Sequence, residues 1–138
     1  MDRHRSGGYS LIEMMMAMAI FGLIAAMSVL GVSSFIRSSR LTGASNTLAV
    51  DLHYARMLAT TKQSTYQIRF SPSSYQVIRV SPASTLLTRQ MPLGTTCAAS
   101  DTATFYPWGL ADSITVTVTN SNGTSTLKVG ANGRVSHG

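Results

Sequence analysis

The chain is 138 residues long, 44% hydrophobic and only 12% charged. That length holds about one domain, and the charge is about half that of an average soluble protein, which excludes both a two-domain architecture and a disordered chain. A single cysteine, Cys97, rules out an intramolecular disulfide and any zinc site that needs two thiolates; eleven Lys and Arg against five Asp and Glu give +6, a charge suited to an anionic partner.

The stretch Met1 to Gly8, MDRHRSGG, is basic, and an apolar run follows closely. From Met14 to Ile36 there are 23 residues without a charge. A helix of that length covers roughly 30 Å at about 1.5 Å per residue, the thickness of a bilayer's hydrocarbon core, so the run is expected to span a membrane. A secretory signal would have a shorter apolar region ending in a small-residue cleavage site, a pattern the run lacks. Arg3 and Arg5 favour a cytoplasmic N-terminus, while Arg37 and Arg40 pull the other way, so charge alone leaves the orientation open. Glu13 stands at the lip of the run. A carboxylate costs about 2.5–3.5 kcal/mol near the membrane centre and less at its edge. The helix macrodipole would return under about 1 kcal/mol to such an acid, whereas a cationic partner would offset the whole cost.

Gly8 followed by Tyr9-Ser10-Leu11-Ile12-Glu13 and a long apolar helix resembles the class III signal of type IV pilins and pseudopilins. The resemblance implies that a membrane prepilin peptidase cuts between Gly8 and Tyr9 and N-methylates Tyr9. It also implies that Glu13 neutralises the amine of a neighbouring subunit during filament assembly, which would supply the cationic partner. Tyr9 stands where the family usually has phenylalanine, and Ser10 where threonine is common.

Beyond the span, Leu41, Ala44, Leu48, Leu52, Ala55 and Ala59 recur at spacings of three and four, one apolar helical face, with Arg40, Asp51, Arg56 and Lys62 expected off it. No proline lies between Ser10 and Lys62, so a single helix of some 50 residues is expected. The period then changes. Thr65 to Ser71 alternates Tyr66, Ile68 and Phe70 with polar residues, SPSS makes a turn, and Ser74 to Val80 reads as the returning strand. Ser81 to Ser100 reads mostly as loop, with Leu86-Leu87 a short strand and Cys97 a lone loop thiol. Thr102 to Tyr106 reads as a strand ended by Pro107. Ile114, Val116 and Val118 alternate with threonines, and Asn120 to Gly123 turns the chain into Thr124 to Val129, the clearest hairpin.

The expected fold class is therefore α+β: a long N-terminal α-helix, membrane-spanning in its first half and amphipathic in its second, packed on an antiparallel β-sheet head. Residues 1–8 are the expected cleaved leader, 9–37 the transmembrane and filament-core helix, 38–64 the amphipathic continuation, and 65–138 the β-rich periplasmic head. Leu48 to Ala59, LAVDLHYARMLA, resembles the L-x-x-x-L-x-x-A-R-x-x-A helix of the GspH/FimT pseudopilin family. Phe105-Tyr-Pro-Trp-Gly109 is similar to that family's F-x-x-x-G element, and Gly133-Arg134-Val135 to its terminal G-R-V. Val50, Leu52 and Ala55 are expected to seat the head.

What this resemblance implies is a minor subunit of a type IV pilus or a type II secretion pseudopilus. It would sit in the bacterial inner membrane as a single-pass protein until extracted into a filament. The implied partners are the prepilin peptidase, other pilins or pseudopilins, inner membrane lipid and an assembly platform protein. No cofactor and no metal are implied.

Catalysis finds no support in the motifs. His4, His53 and His137 belong to the leader, the amphipathic helix and a chain end, and there is no nucleophile elbow, paired carboxylate, HExxH, P-loop or GxGxxG. The rival function is DNA binding. Arg69, Arg79, Arg89, Lys128 and Arg134 dominate the head, Arg69 and Arg79 could share a face of the first hairpin, and such residues can contact phosphates. Some FimT-like pilins bind DNA in natural transformation through a terminal G-R-x-R. By that resemblance Lys128 and Arg134 are the candidate contacts, with Ser136 where the second arginine would stand.

Overall fold

The computed structural model of the protein describes residues 9–138. Gly8, the expected cleavage position, lies outside the described residues. The helix α1 covers Leu11–Lys62, 52 residues, with Glu13 in its first turn and Lys62 in its last, each on the side the macrodipole favours. The chain divides into two compact units between Phe35 and Ile36.

In the first unit the described side chains from Tyr9 to Phe35 are exposed, including Leu11, Ile12, Met14, Phe21 and Leu23. This segment is long and apolar enough to cross a membrane. Water is a poor solvent for such a surface, so it calls for lipid or for other apolar helices.

In the second unit eight strands follow the rest of α1: β1 (Tyr66–Ser71), β2 (Ser74–Arg79), β3 (Ser84–Gln90), β4 (Thr95–Ala99), β5 (Ala103–Phe105), β6 (Ile114–Asn120), β7 (Gly123–Val129) and β8 (Val135–His137). They form two four-stranded antiparallel sheets, ordered β3-β2-β1-β5 and β4-β6-β7-β8. The expected helix-plus-strand architecture is observed, with the head built of two sheets. Ala44, Leu48, Leu52, Ala55 and Ala59 of α1 are all buried, and they join Tyr66, Ile68, Tyr75 and Val77 of the first sheet and Val116, Val118, Leu127 and Val129 of the second in one core. The small alanines at 44, 55 and 59 fit a helix that lies close against pleated surfaces. The hairpins at 71–74 and 120–123 hold the registers expected of them, Ser71 opposite Ser74 and Asn120 opposite Gly123.

Several expectations need correction. The stretch 81–100 carries two strands, β3 and β4, where mostly loop was expected. β3 is an exposed edge strand with only Leu87 half-buried, so no alternation marked it, and β4 is only five residues long. Cys97 is consequently a buried strand residue, with Sγ donating to the Ser71 carbonyl at 3.0 Å. Burial raises its thiol pKa, which disfavours the thiolate form. Val50 does not seat the head: it is 65% exposed, because it precedes Leu52 by two residues and so lies across the helix from it. Arg69 and Arg79 lie on opposite faces of the first hairpin, since Arg69 pairs with Gln76 while Arg79 pairs with Tyr66, three positions along the same strand.

Candidate functional site

Tyr9 and Glu13, the expected methylation and assembly positions, lie at the start of α1. The Ser10 carbonyl accepts from the Glu13 N–H at 3.0 Å and the Met14 N–H at 3.2 Å, which closes the first turn. Tyr9, Glu13 and Ala17, spaced by four, border one apolar depression with Met14. Tyr9 and Glu13 are both exposed, so the carboxylate is presented outward and within reach of a charge on another molecule.

In the head, three sequence elements that lie far apart in the chain meet. The Arg56 guanidinium of α1 donates from Nη2 to the Asn132 carbonyl at 3.1 Å. Gly133, next in the chain, is buried with φ of 71°. A Cβ on it would stand 2.5 Å from the Gly109 carbonyl oxygen and 2.7 Å from Arg56 Nε. Gly109 itself has φ of 87° and lies near the Thr60 methyl, and its N–H donates to the Tyr106 carbonyl at 3.0 Å. Arg56 of the helix, Gly109 and Gly133 therefore form one packing lock. Phe105, at the start of the middle element, is fully buried in the core.

A second junction was missed by sequence reasoning. Asp51 was expected off the apolar face, yet it is 4% exposed. Its carboxylate accepts from Tyr75 Oη at 2.6 Å and from Arg89 Nε at 2.7 Å, with Arg89 Nη2 at 3.3 Å. The three residues tie α1 to β2 and β3. The Arg89 guanidinium is held more firmly protonated by its hydrogen bond to that carboxylate. A charge beside Leu52 in the sequence says only that the position lies at the stripe's edge. What satisfies its charge there is Tyr75 and Arg89, 24 and 38 residues away, and no local pattern reveals those pairings.

Burial, then the hydrogen bond and charge of Asp51, push the Tyr75 hydroxyl far above its ordinary value of 10.0. The folded chain thus holds this proton more tightly than the unfolded chain does. Its stabilising contribution is complete below pH 10 and is lost as pH rises beyond it, at up to about 1.4 kcal/mol per unit. Tyr75→Phe removes the titration. The stability advantage of wild type over this variant should shrink by about 1 kcal/mol between pH 9.5 and 11 in urea titrations, and a constant difference would contradict the assignment.

Lys128 and Arg134, the candidate anion contacts, are both exposed and line a single open depression of about 420 Å³. Elsewhere Tyr106 stacks on Trp108, with ring centroids 5.1 Å apart and planes 5° from parallel, and its hydroxyl donates to Asp112. The charge of Asp112 raises that phenol's pKa. His53 is exposed on α1. Among the described residues there is no cluster of three or more His, Cys, Asp or Glu that could hold a metal.

Comparison with known families and structures agrees with this geometry. Residues 3–29 match the prokaryotic N-terminal methylation motif, and residues 44–134 match the type II transport protein GspH. No curated protein sequence matches the chain significantly. The fold is similar to the type IV minor pilin FimU of Pseudomonas aeruginosa, with a TM-score of 0.63 and 17% identity over 75% of this chain and 92% of that one. It is likewise similar to the minor pseudopilin EpsH of the Vibrio cholerae type 2 secretion system, with a TM-score of 0.64 and 7% identity over 71% of this chain and 95% of that one.

Proposed function

The chain belongs to the GspH family of pilin-like proteins, and from that premise we propose that it is a minor subunit of a type IV pilus or type II secretion pseudopilus, a structural part rather than an enzyme. The observation that carries this is the pairing of a methylation motif over residues 3–29 and an exposed apolar helix with a head that matches the GspH model over residues 44–134. Prepilin peptidase cuts between Gly8 and Tyr9 and methylates the new amine of Tyr9. Residues 9–37 hold the subunit in the inner membrane, with residues 38–64 leading into a periplasmic head. An assembly platform protein then passes it into a filament of other pilin-like subunits.

The energetics of this path follow from the apolar helix. Leaving lipid costs little if neighbouring helices replace it, because both surroundings are apolar and packing contacts are exchanged for packing contacts. A lone carboxylate gains no such exchange. Glu13 therefore needs the amine of a neighbour, and the amine exposed by cleavage is the cation the filament offers.

Glu13→Ala should leave cleavage and methylation unchanged, read as the mass of the mature chain, and lower recovery in purified filaments by tenfold or more. Full incorporation of that variant would sink the charge-pairing step. A chain that stays uncut beside active prepilin peptidase would sink the processing step as well.

A further inference from the structure

Lys128 on β7 and Arg134 in the turn before β8 border one depression with Ser113, Thr115, Asn132 and Ser136, and no carboxylate lines it. Antiparallel register sets Lys128 opposite Thr115 on one side and Ser136 on the other, so an ammonium and two hydroxyls share one face of the sheet. Arg134 is anchored through its backbone. Its N–H donates to Asn132 Oδ1 at 3.0 Å, its carbonyl accepts from the Gly130 N–H at 2.9 Å, and the preceding residue is the packed Gly133.

The acids of the head are few, and only one of them is buried and ion-paired. Asp51 is held by Arg89 and Tyr75, Asp101 accepts from the Thr102 N–H, and Asp112 accepts from Tyr106. From Ile36 onward nine basic residues face three acidic ones. A second copy of this head would bring net repulsion, nine basic residues against three acidic ones on each side, with only Asp101 and Asp112 exposed to offer in return. The complement of the depression is a different chain with negative charge to spare.

We propose that this depression receives carboxylate side chains from the head of a different, acidic pilin-like subunit in the same filament, an inference that rests on the filament reading above. Magnitudes favour that occupant over a nucleic acid. A protein that binds DNA well makes about six to ten phosphate contacts, each adding about 0.9 to the salt slope, and two cations supply little of that. A site so weak fills only when its ligand is already held nearby. A subunit joined through its helix presents its carboxylates at an effective concentration on the order of millimolar, which suffices. Exposed charges of this kind choose the partner and its register more than they add affinity.

The test begins with the full chain in detergent micelles and a hexaglutamate peptide as probe, followed by NMR. Amide shifts at Thr115, Lys128, Arg134 and Ser136 are expected at low salt, weakened by added salt and at least tenfold weaker in Lys128→Ala/Arg134→Ala. No shift, or equal binding by the double variant, overturns the proposal. So does a hexanucleotide that binds tenfold tighter than the peptide through the same two residues. In cells, Lys128→Glu/Arg134→Glu should be cleaved normally and recovered in filaments at least fivefold less than wild type. Normal recovery overturns the proposal and leaves the filament reading intact, whereas absence of the wild-type chain from filaments overturns both.

Discussion

Gly133→Ala is expected to destabilise the head by about 3 kcal/mol, from two causes that a control can separate. The left-handed backbone at 133 costs a side chain on the order of 1–2 kcal/mol by itself. The added methyl then meets the Gly109 carbonyl at 2.5 Å and Arg56 Nε at 2.7 Å. Neither yields easily: the carbonyl belongs to a closed turn, and the guanidinium is bonded to the Asn132 carbonyl. Overpacking of this kind typically adds about 1–3 kcal/mol. Gly94 has a similar φ of 77° but nothing within 4 Å of a built Cβ, so Gly94→Ala should show the backbone cost alone. Thermal melts of the full chain in micelles should place Gly133→Ala about 12 °C below wild type, at roughly 4 °C per kcal/mol for a head of this size. Equal losses at 94 and 133 would mean that the three elements do not form a lock.

That lock also shows what the sequence could and could not convey. Leu48, Leu52, Ala55 and Ala59 are legible because burial on a helix repeats every three or four residues, and each of them is buried. The hairpins around Pro72 and Asn122 are legible because alternation and turn residues agree. β3 is not, because an edge strand exposed on both faces has no reason to alternate. The glycines at 109 and 133 could be recognised as parts of a family pattern, but their joint role with Arg56 exists only in three dimensions. Glu13 is the opposite case, since a carboxylate beside a charge-free run is conspicuous without any structure.

Arg89→Ala should cost more than Asp51→Ala, about 3 against about 2 kcal/mol, although the two residues share one ion pair. The partners are buried unequally: the Arg89 side chain is 45% exposed, the Asp51 side chain 6%. Removing Asp51 frees the guanidinium to swing into water, and the remaining loss is mainly a buried Tyr75 hydroxyl without its acceptor, about 1–3 kcal/mol. Removing Arg89 instead leaves a carboxylate in the core with one phenol for company. A stranded charge costs about 3–5 kcal/mol when fully buried, reduced here because truncating an exposed side chain lets water approach. Losing both should cost less than the sum of the two, since no charge is then stranded, and the shortfall measured by urea denaturation in a double-mutant cycle should be about 1–2 kcal/mol. An additive cycle, or a larger loss from Asp51→Ala, would show that Arg89 is a solvated surface contact and that the Tyr75 hydroxyl alone makes the polar tie between α1 and the β2–β3 hairpin.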